Sequence, residues 1–469
     1  MKINTALERE KKFTAGGAVA FQHADAAQNL QRSVLACMLW EDTFYESGEK
    51  IAERISKLVP LVTAETVQLM AIEARSKMHL RHVPLLLACE LAKHKSHSHV
   101  VVNTVYNVVQ RADELAEILA IYQKDRKGKK KLNKLSHPLQ KGLALAFRKF
   151  DEYQLAKYNQ GGEIKLKDVL FLCHAKPRDE AQAKLWKKLI DNKLDVPDTW
   201  EVALSATKGS GKKEVWERLL AEGKLGAMAL IRNLRNMTEE KVDRKLIRDA
   251  LAKADVSRVL PFRFVAAADA APGFESELDD LLLRSSAAMP KLPGKTILVV
   301  DISGSMYGHG NISARSKMSR VDAAAALAAI ARERCEDVSI YATAGNDGTG
   351  IHKTALVPNR RGMALADVFR KRQMADKLGG GGIFLAQCLD FIAKEEGHKA
   401  DRIIVFTDEQ DCDKKLRPDL ANAFGTWNYL MNISAEKNGI GYKPKWTHFD
   451  GFSEAVLDYI IANEAVSGQ

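Results

Sequence analysis

A change in hydrophobic period near residue 290 constrains this chain more than any other feature. Before it, up to about residue 285, apolar residues recur at helical spacing in segments broken by short polar or Gly/Pro stretches. Asn29 to Trp40, Thr63 to Arg75, His79 to His94, His99 to Val109, Ala112 to Tyr122, Leu139 to Phe150, Ala181 to Ile190 and Gly223 to Asn236 all read this way. Each amphipathic helix has to bury its stripe on a neighbour, so an array of stacked helical pairs is expected. No strict sequence period runs through it, and any repeats are degenerate.

After the change, strands and helices alternate. Thr296 to Asp301, Asp337 to Ala342 and Arg402 to Thr407 read as strands. Arg320 to Arg334, Met363 to Arg372, Phe384 to Lys394 and Ser453 to Ala462 read as helices. Such alternation predicts a doubly wound sheet with helices on both faces. At 469 residues the chain exceeds the size at which one core keeps growing. The expectation is a multidomain α plus α/β protein, with a helical-repeat domain over 1–289 and an α/β domain over 290–469.

Charge divides along the same line. Lys and Arg exceed Asp and Glu by 11 in the whole chain. Residues 291–469 carry 23 basic and 22 acidic side chains, which leaves 48 against 38 for residues 1–290. That asymmetry points to a polyanion partner for the helical part, the alternative being a solvated basic surface. Its densest run is Lys124 to Lys134, where Lys129, Lys130, Lys131 and Lys134 are candidate phosphate contacts, with Lys141 close behind.

The N-terminal residues lack the apolar core of a secretory signal, and no apolar run reaches the roughly 18 residues of a membrane span. Six cysteines (Cys37, Cys89, Cys173, Cys335, Cys388, Cys412) are scattered singly and read as reduced thiols. A cytoplasmic protein with no membrane contact is expected.

Ligands of doubly wound sheets sit beyond the carboxyl ends of the strands. Asp301-Ile302-Ser303-Gly304-Ser305 lies there, directly after Ile297-Leu298-Val299-Val300, and Asp408 ends the later strand Ile403 to Thr407. Two carboxylates and two hydroxyls at one sheet edge are hard oxygen donors suited to Mg²⁺ or another divalent cation, with water completing the octahedron. No nucleophile and base pair accompanies them, so catalysis is not expected there.

These residues resemble the metal-ion-dependent adhesion site of a von Willebrand factor A domain, whose first loop reads D-x-S-x-S. The resemblance covers residues 290–469 and implies a Rossmann-like fold, with Asp301, Ser303 and Ser305 as the first loop and Asp408 as the third-loop carboxylate. The family's second loop carries a Thr after a Gly pair. Here Leu378-Gly379-Gly380-Gly381-Gly382 puts Gly381 at that position, and one hydroxyl is missing.

In the helical part, Leu155-Ala156-Lys157-Tyr158, the stretch Leu166 to Pro177 containing His174, and Ile231 to Met237 occur in an order that resembles the TROVE module of Ro autoantigen proteins, of bacterial or phage type. That resemblance implies a monomeric ring of HEAT-like helices followed by the A domain, and binding of small non-coding RNAs such as Y RNAs and of single-stranded ends of misfolded RNA. It implies RNA contacts at Lys157 and His174. An Arg that the family often has four residues after that Lys corresponds to Gly161.

The leading expectation is a non-enzymatic RNA-binding protein of RNA quality control, handing RNA to an exoribonuclease or docking another protein at the metal site. The alternative is a metal-dependent protein-interaction scaffold. Lys208 to Lys213 lacks the glycine and hydroxyl positions of a phosphate-binding loop. His94, His97 and His99 lack acidic or Cys neighbours for a zinc site and read as a polar connector.

Overall fold

The structure, a computed structural model, describes residues 12–13, 19–20, 26–36, 48–77, 80–124, 134–159, 164–196, 199–207, 211–257, 259, 262–287, 290–307, 318–413, 423–434, 446–451, 456–457, 460–461 and 464. They fall into two compact units. One holds Asp25–Trp40 and Gly48–Ala254, and the other holds Met1–Ala24, Glu41–Ser47 and Asp255–Gln469.

Among the described residues of the first unit, the regular elements are all helices. In chain order it contains α1 (Ala26–Ala36), α2 (Gly48–Leu58), α3 (Ala64–Ser76), α4 (His82–Lys93), α5 (Ser98–Val108), α6 (Asp113–Tyr122) and α7 (His137–Phe147). These are followed by α8 (Glu152–Tyr158), α9 (Leu166–Leu172), α10 (Glu180–Ile190), α11 (Trp200–Ala206), α12 (Lys212–Ala221), α13 (Ala227–Glu239) and α14 (Arg244–Lys253). Packing is between near neighbours, as a repeat array requires: α3 on α4 and α5, α4 on α6, α5 on α7, α7 on α9, and α13 on α14.

Local chemistry sets the helix starts. Asp151 caps α8 in a reciprocal capping box with Gln154, and Asp179 caps α10 by accepting from Gln182 N at 2.7 Å. Within the array, α4 is buried from Val83 to Ala92, so it forms the centre of its neighbourhood rather than a surface layer. The segment expected as a polar connector is instead a 3-10 turn (Lys95–His97) leading straight into α5; its histidines have protein partners, buried His97 at Val62 O and His99, in the first turn of α5, at Glu65.

The second unit opens with a two-residue strand pair, β1 (Lys12–Phe13) with β2 (Val19–Ala20). Its main body contains α15 (Phe262–Ala270), α16 (Glu275–Ala287), β3 (Leu292–Asp301), α17 (Gly304–Tyr307), α18 (Arg320–Glu333), β4 (Cys335–Asn346) and β5 (Ile351–Leu356). Then come α19 (Gly362–Arg370), α20 (Gln373–Lys377), α21 (Leu385–Glu395), β6 (Arg402–Thr407), β7 (Trp427–Asn432) and β8 (Thr447–Asp450). The sheet order is β5-β4-β3-β6-β7-β8, with all neighbours parallel except the antiparallel edge pair β4 and β5.

Strand order reverses between β3 and β6, because the chain builds β4 and β5 on one side of β3 and β6 to β8 on the other. A crevice opens at such a switch point beyond the strand ends. Asp301 is the last residue of β3, and Asp408 follows the last residue of β6. Alanine-rich α18 is buried along almost its whole length, since small side chains let a helix lie close to a sheet.

Two differences from the sequence expectation have physical causes. The C-terminal stretch of the sheet-bearing unit runs from Asp255 rather than from near 290, because α15 and α16 pack on α18 and α16 also packs on α19. Asp279 on α16 accepts from Met363 N at 2.7 Å, and Arg370 bridges Asp322 and Asp269. Strands β7 and β8 carry no period-two signal, because all of β7 after Trp427 is buried and β8 is four residues long. The expected helix Ser453 to Ala462 lies only partly within the described residues. Among the described residues, no helix is long and apolar enough to cross a membrane, and Cys89, Cys173, Cys335, Cys388 and Cys412 are free.

Candidate functional site

Asp301, Ser303, Ser305 and Asp408 are brought together at the β3/β6 switch point. Asp301 is fully buried; its Oδ1 accepts from Ser303 N at 2.8 Å and its Oδ2 from Thr407 Oγ1 at 2.6 Å. Ser303 Oγ lies 3.2 Å from Ser305 Oγ, so the two hydroxyls point at one region. Burial, and then the nearby Asp408 carboxylate, push the Asp301 pKa up to about 7.

Asp408 has a different neighbour from the one its motif suggests. Arg320, the first residue of α18 and 1% exposed, donates from Nη1 to Asp408 Oδ2 at 2.8 Å and to Ser305 O at 2.9 Å. A guanidinium therefore supplies positive charge beside the second carboxylate, inside the protein. Asp408 also accepts from Gln410 N, and Glu409 holds a left-handed backbone (φ +59°) just after it. That turn is fixed by Glu409 N donating to Thr407 Oγ1 at 3.0 Å and by a 2.9 Å hydrogen bond between Glu409 and His448. Farther along, Asp411 accepts from Leu385 N, and burial pushes its pKa up to about 7.

The glycine run is explained by backbone approach. Gly304 N donates to Gly381 O at 2.8 Å, and Gly381 N donates to Gly345 O at 3.0 Å, so the first loop, the glycine loop and β4 are tied through main chain. A Cβ on Gly381 would stand 2.8 Å from Gly345 O and 2.9 Å from Asp347 Oδ1. The missing threonine is thus a matter of space as well as sequence.

As a cation site the donor set fits in part. Asp301, Ser303 and Ser305 offer hard oxygens at one point, and water would have to supply the other positions. Asp408 is held by Arg320, and Gly381 offers no side chain. Among the described residues, no three His, Cys, Asp or Glu side chains are grouped as metal ligands. Thr407, Arg320 and Glu409 are the residues sequence reasoning missed. The Thr-Asp-Glu run marks Thr407 in hindsight, whereas nothing in the sequence links Arg320 to Asp408.

In the helical unit, Lys157 sits in the last turn of α8, half-buried, with its Nζ 5.8 Å from the Tyr153 ring centre and 5.6 Å from that of Tyr158. No carboxylate pairs with it among the described residues. His174 is exposed and ends α9 in a left-handed conformation (φ +51°). Its N–H donates to Phe171 O and that of Ala175 to Leu170 O, the pair of bonds of a Schellman cap, at a position where glycine is the usual residue. Lys134 and Lys141 are exposed. Lys129, Lys130, Lys131, Gly161 and Lys208 to Ser210 lie outside the described residues.

A family model described as the TROVE domain matches residues 20–192 and 190–320. Mouse telomerase protein component 1 is 39% identical over 116 residues, 24% of this chain, and the rat protein of the same name is 35% identical over 116 residues. The matched stretch is only 4% of the length of either relative. A crystal structure of the Deinococcus radiodurans RO (RSR) protein aligns with a TM-score of 0.60 at 16% identity, covering 92% of this chain and 99% of that one. At that identity the likeness is one of fold.

Proposed function

Since this chain belongs to the TROVE-domain family, a family of RNA-binding proteins, we propose that its helical unit binds small non-coding, Y-like RNA and the single-stranded ends of misfolded RNA. The role that follows is RNA quality control or delivery of RNA to an exoribonuclease, by binding rather than catalysis. The carrying observation is Lys157, held between two tyrosine rings with no carboxylate partner among the described residues. Such a cation is available to phosphate and releases counterions on contact. Exposed His174 on the next helix adds a donor, and the helical part carries nearly all of the chain's net positive charge.

Gel-shift titration of a structured RNA and a single strand at two salt concentrations, with Lys157→Ala and His174→Ala, tests this. Both variants are expected to bind more weakly. Unchanged affinity in both removes these residues from the interface.

A second reading concerns the α/β unit, which we propose is a von Willebrand factor A domain. The converging Ser303 and Ser305 hydroxyls favour it. With Asp301 they would hold a divalent cation such as Mg²⁺, whose open coordination position would bind a carboxylate of a docking protein. Asp408 and Arg320 would brace that loop from behind. Calorimetric titration with Mg²⁺ or Mn²⁺ checks it, and the absence of binding at millimolar metal sinks the cation part alone.

A further inference from the structure

Among the described residues, the large aromatics with exposed side chains are Tyr106 (44%), Tyr153 (49%) and Phe171 (57%), all in the helical unit within one part of the chain. Two of them belong to a continuous strip. Lys149 Nζ donates to Tyr106 O at 2.7 Å and to Val109 O, and the same ammonium lies 4.7 Å from the Tyr106 ring centre. Arg111, just after α5, lies 4.5 Å from the Tyr158 ring centre at the end of α8. Tyr153 and Lys157 are four apart on α8 and share a face. Residues 106–111 and 149–158 thus run side by side, alternating rings with cations.

We propose that this strip is a base-stacking platform for single-stranded RNA, with Tyr106 and Tyr153 carrying bases and Lys157 an adjacent phosphate. The proposal rests on the RNA-binding reading above and adds which side chains hold an unpaired strand and by what contact. Charge favours a polyanion, because neighbouring carboxylates have partners of their own. Glu152 holds Lys188, Glu114 holds Arg75, and Asp113 holds Arg81 and Arg111. Ring faces favour unpaired bases, because a duplex keeps its base faces stacked within itself. Lys149 is a positioning residue; two of its three donors fix the backbone beneath Tyr106.

The test is fluorescence anisotropy of the full chain with two labelled probes, an adenine-rich single strand of about 12 nucleotides and a fully paired hairpin. Tyr106→Ala and Tyr153→Ala are each expected to weaken single-strand binding about 5- to 100-fold and to weaken hairpin binding much less. The slope of log affinity against log salt stays at the wild-type value in these variants, whereas Lys157→Ala lowers it by about one. Tyr153→Phe keeps the ring face and retains binding, which separates stacking from a loss of fold. If the alanine variants bind the single strand like wild type, or lose both probes equally, the platform is wrong while RNA binding stands. A wild-type chain that binds neither probe overturns both readings.

Discussion

The Asp301 loop and the tyrosine strip on α5 and α8 use charge in opposite ways. In the loop, Asp301 is bonded by Ser303 N and Thr407, Asp408 by Arg320, Glu409 by His448 and Asp411 by Leu385 N, all inside the protein. In the strip, Lys157 faces two rings, and Tyr106 and Tyr153 are open to solvent. The more recognisable motif is therefore the more closed site. D-x-S-x-S followed by Asp408 is easy to read because its backbone geometry is demanding, and much of its polar chemistry is occupied in holding three segments together. The strip has no demanding geometry, and only its Lys157-Tyr158 pair is readable as a motif, yet its groups are the ones a ligand can reach.

Arg320 gives the largest test of that contrast. Removing one partner of a buried ion pair leaves the other charge without compensation, so Arg320→Ala is expected to cost about 3–5 kcal/mol of stability, read from the denaturant midpoint. Asp408→Asn in the same background should recover much of the loss. A cost below about 1 kcal/mol, the range of a surface pair, would mean that the ion pair does not brace the loop. Lys157→Ala, the matching change in the strip, should leave the midpoint in place.

Restoring the threonine is the next largest. The space at Gly381 is closed by Gly345 O and Asp347, so Gly381→Thr should destabilise by about 1–3 kcal/mol through overpacking. It should also fail to raise Mg²⁺ affinity, because the glycine loop must shift to admit the side chain. Thermal unfolding with and without Mg²⁺ checks both. A variant as stable as the parent and further stabilised by Mg²⁺ would show the loop to be a more open cation site than its contacts imply.

How much was legible follows from what each signal depends on. Buried parallel strands such as β3 and β6 read directly, because an apolar run ending in a polar loop has few other uses, and the Asp301 and Asp408 positions came with them. The Arg320 pairing was not legible, because it joins residues 88 apart and arginine at a helix start carries no mark of burial. The extension of the second unit back to Asp255 was hidden for a similar reason: α15 and α16 have the same amphipathic texture as the helices before them, and only their packing partners differ. Lys157 in the strip, and His174 beyond it, were reached through resemblance, whereas Tyr106 and Arg111 lie some forty residues away from α8 in sequence and meet it only in the fold.

The smallest expected effect is the sharpest comparison, because it separates stability from binding at one residue. His174 holds φ +51° at the position after the α9 cap, where a side chain other than glycine costs about 1–2 kcal/mol. His174→Gly removes that cost but gives the unfolded chain more freedom, worth about 0.5–1 kcal/mol in the other direction. The net expectation is a change between neutral and about 1.5 kcal/mol of stabilisation, read from thermal unfolding, together with weaker RNA binding in the gel-shift titration. A position strained for packing reasons would lose nothing in function when the strain is relieved. One kept for its imidazole would gain or hold stability and lose affinity, as expected here for an open site, whereas strained Glu409 in the closed loop has its carboxylate bonded within the protein. If His174→Gly binds RNA like the parent, the left-handed histidine is a feature of the helix end alone, and Lys157 and the tyrosines must account for the interface.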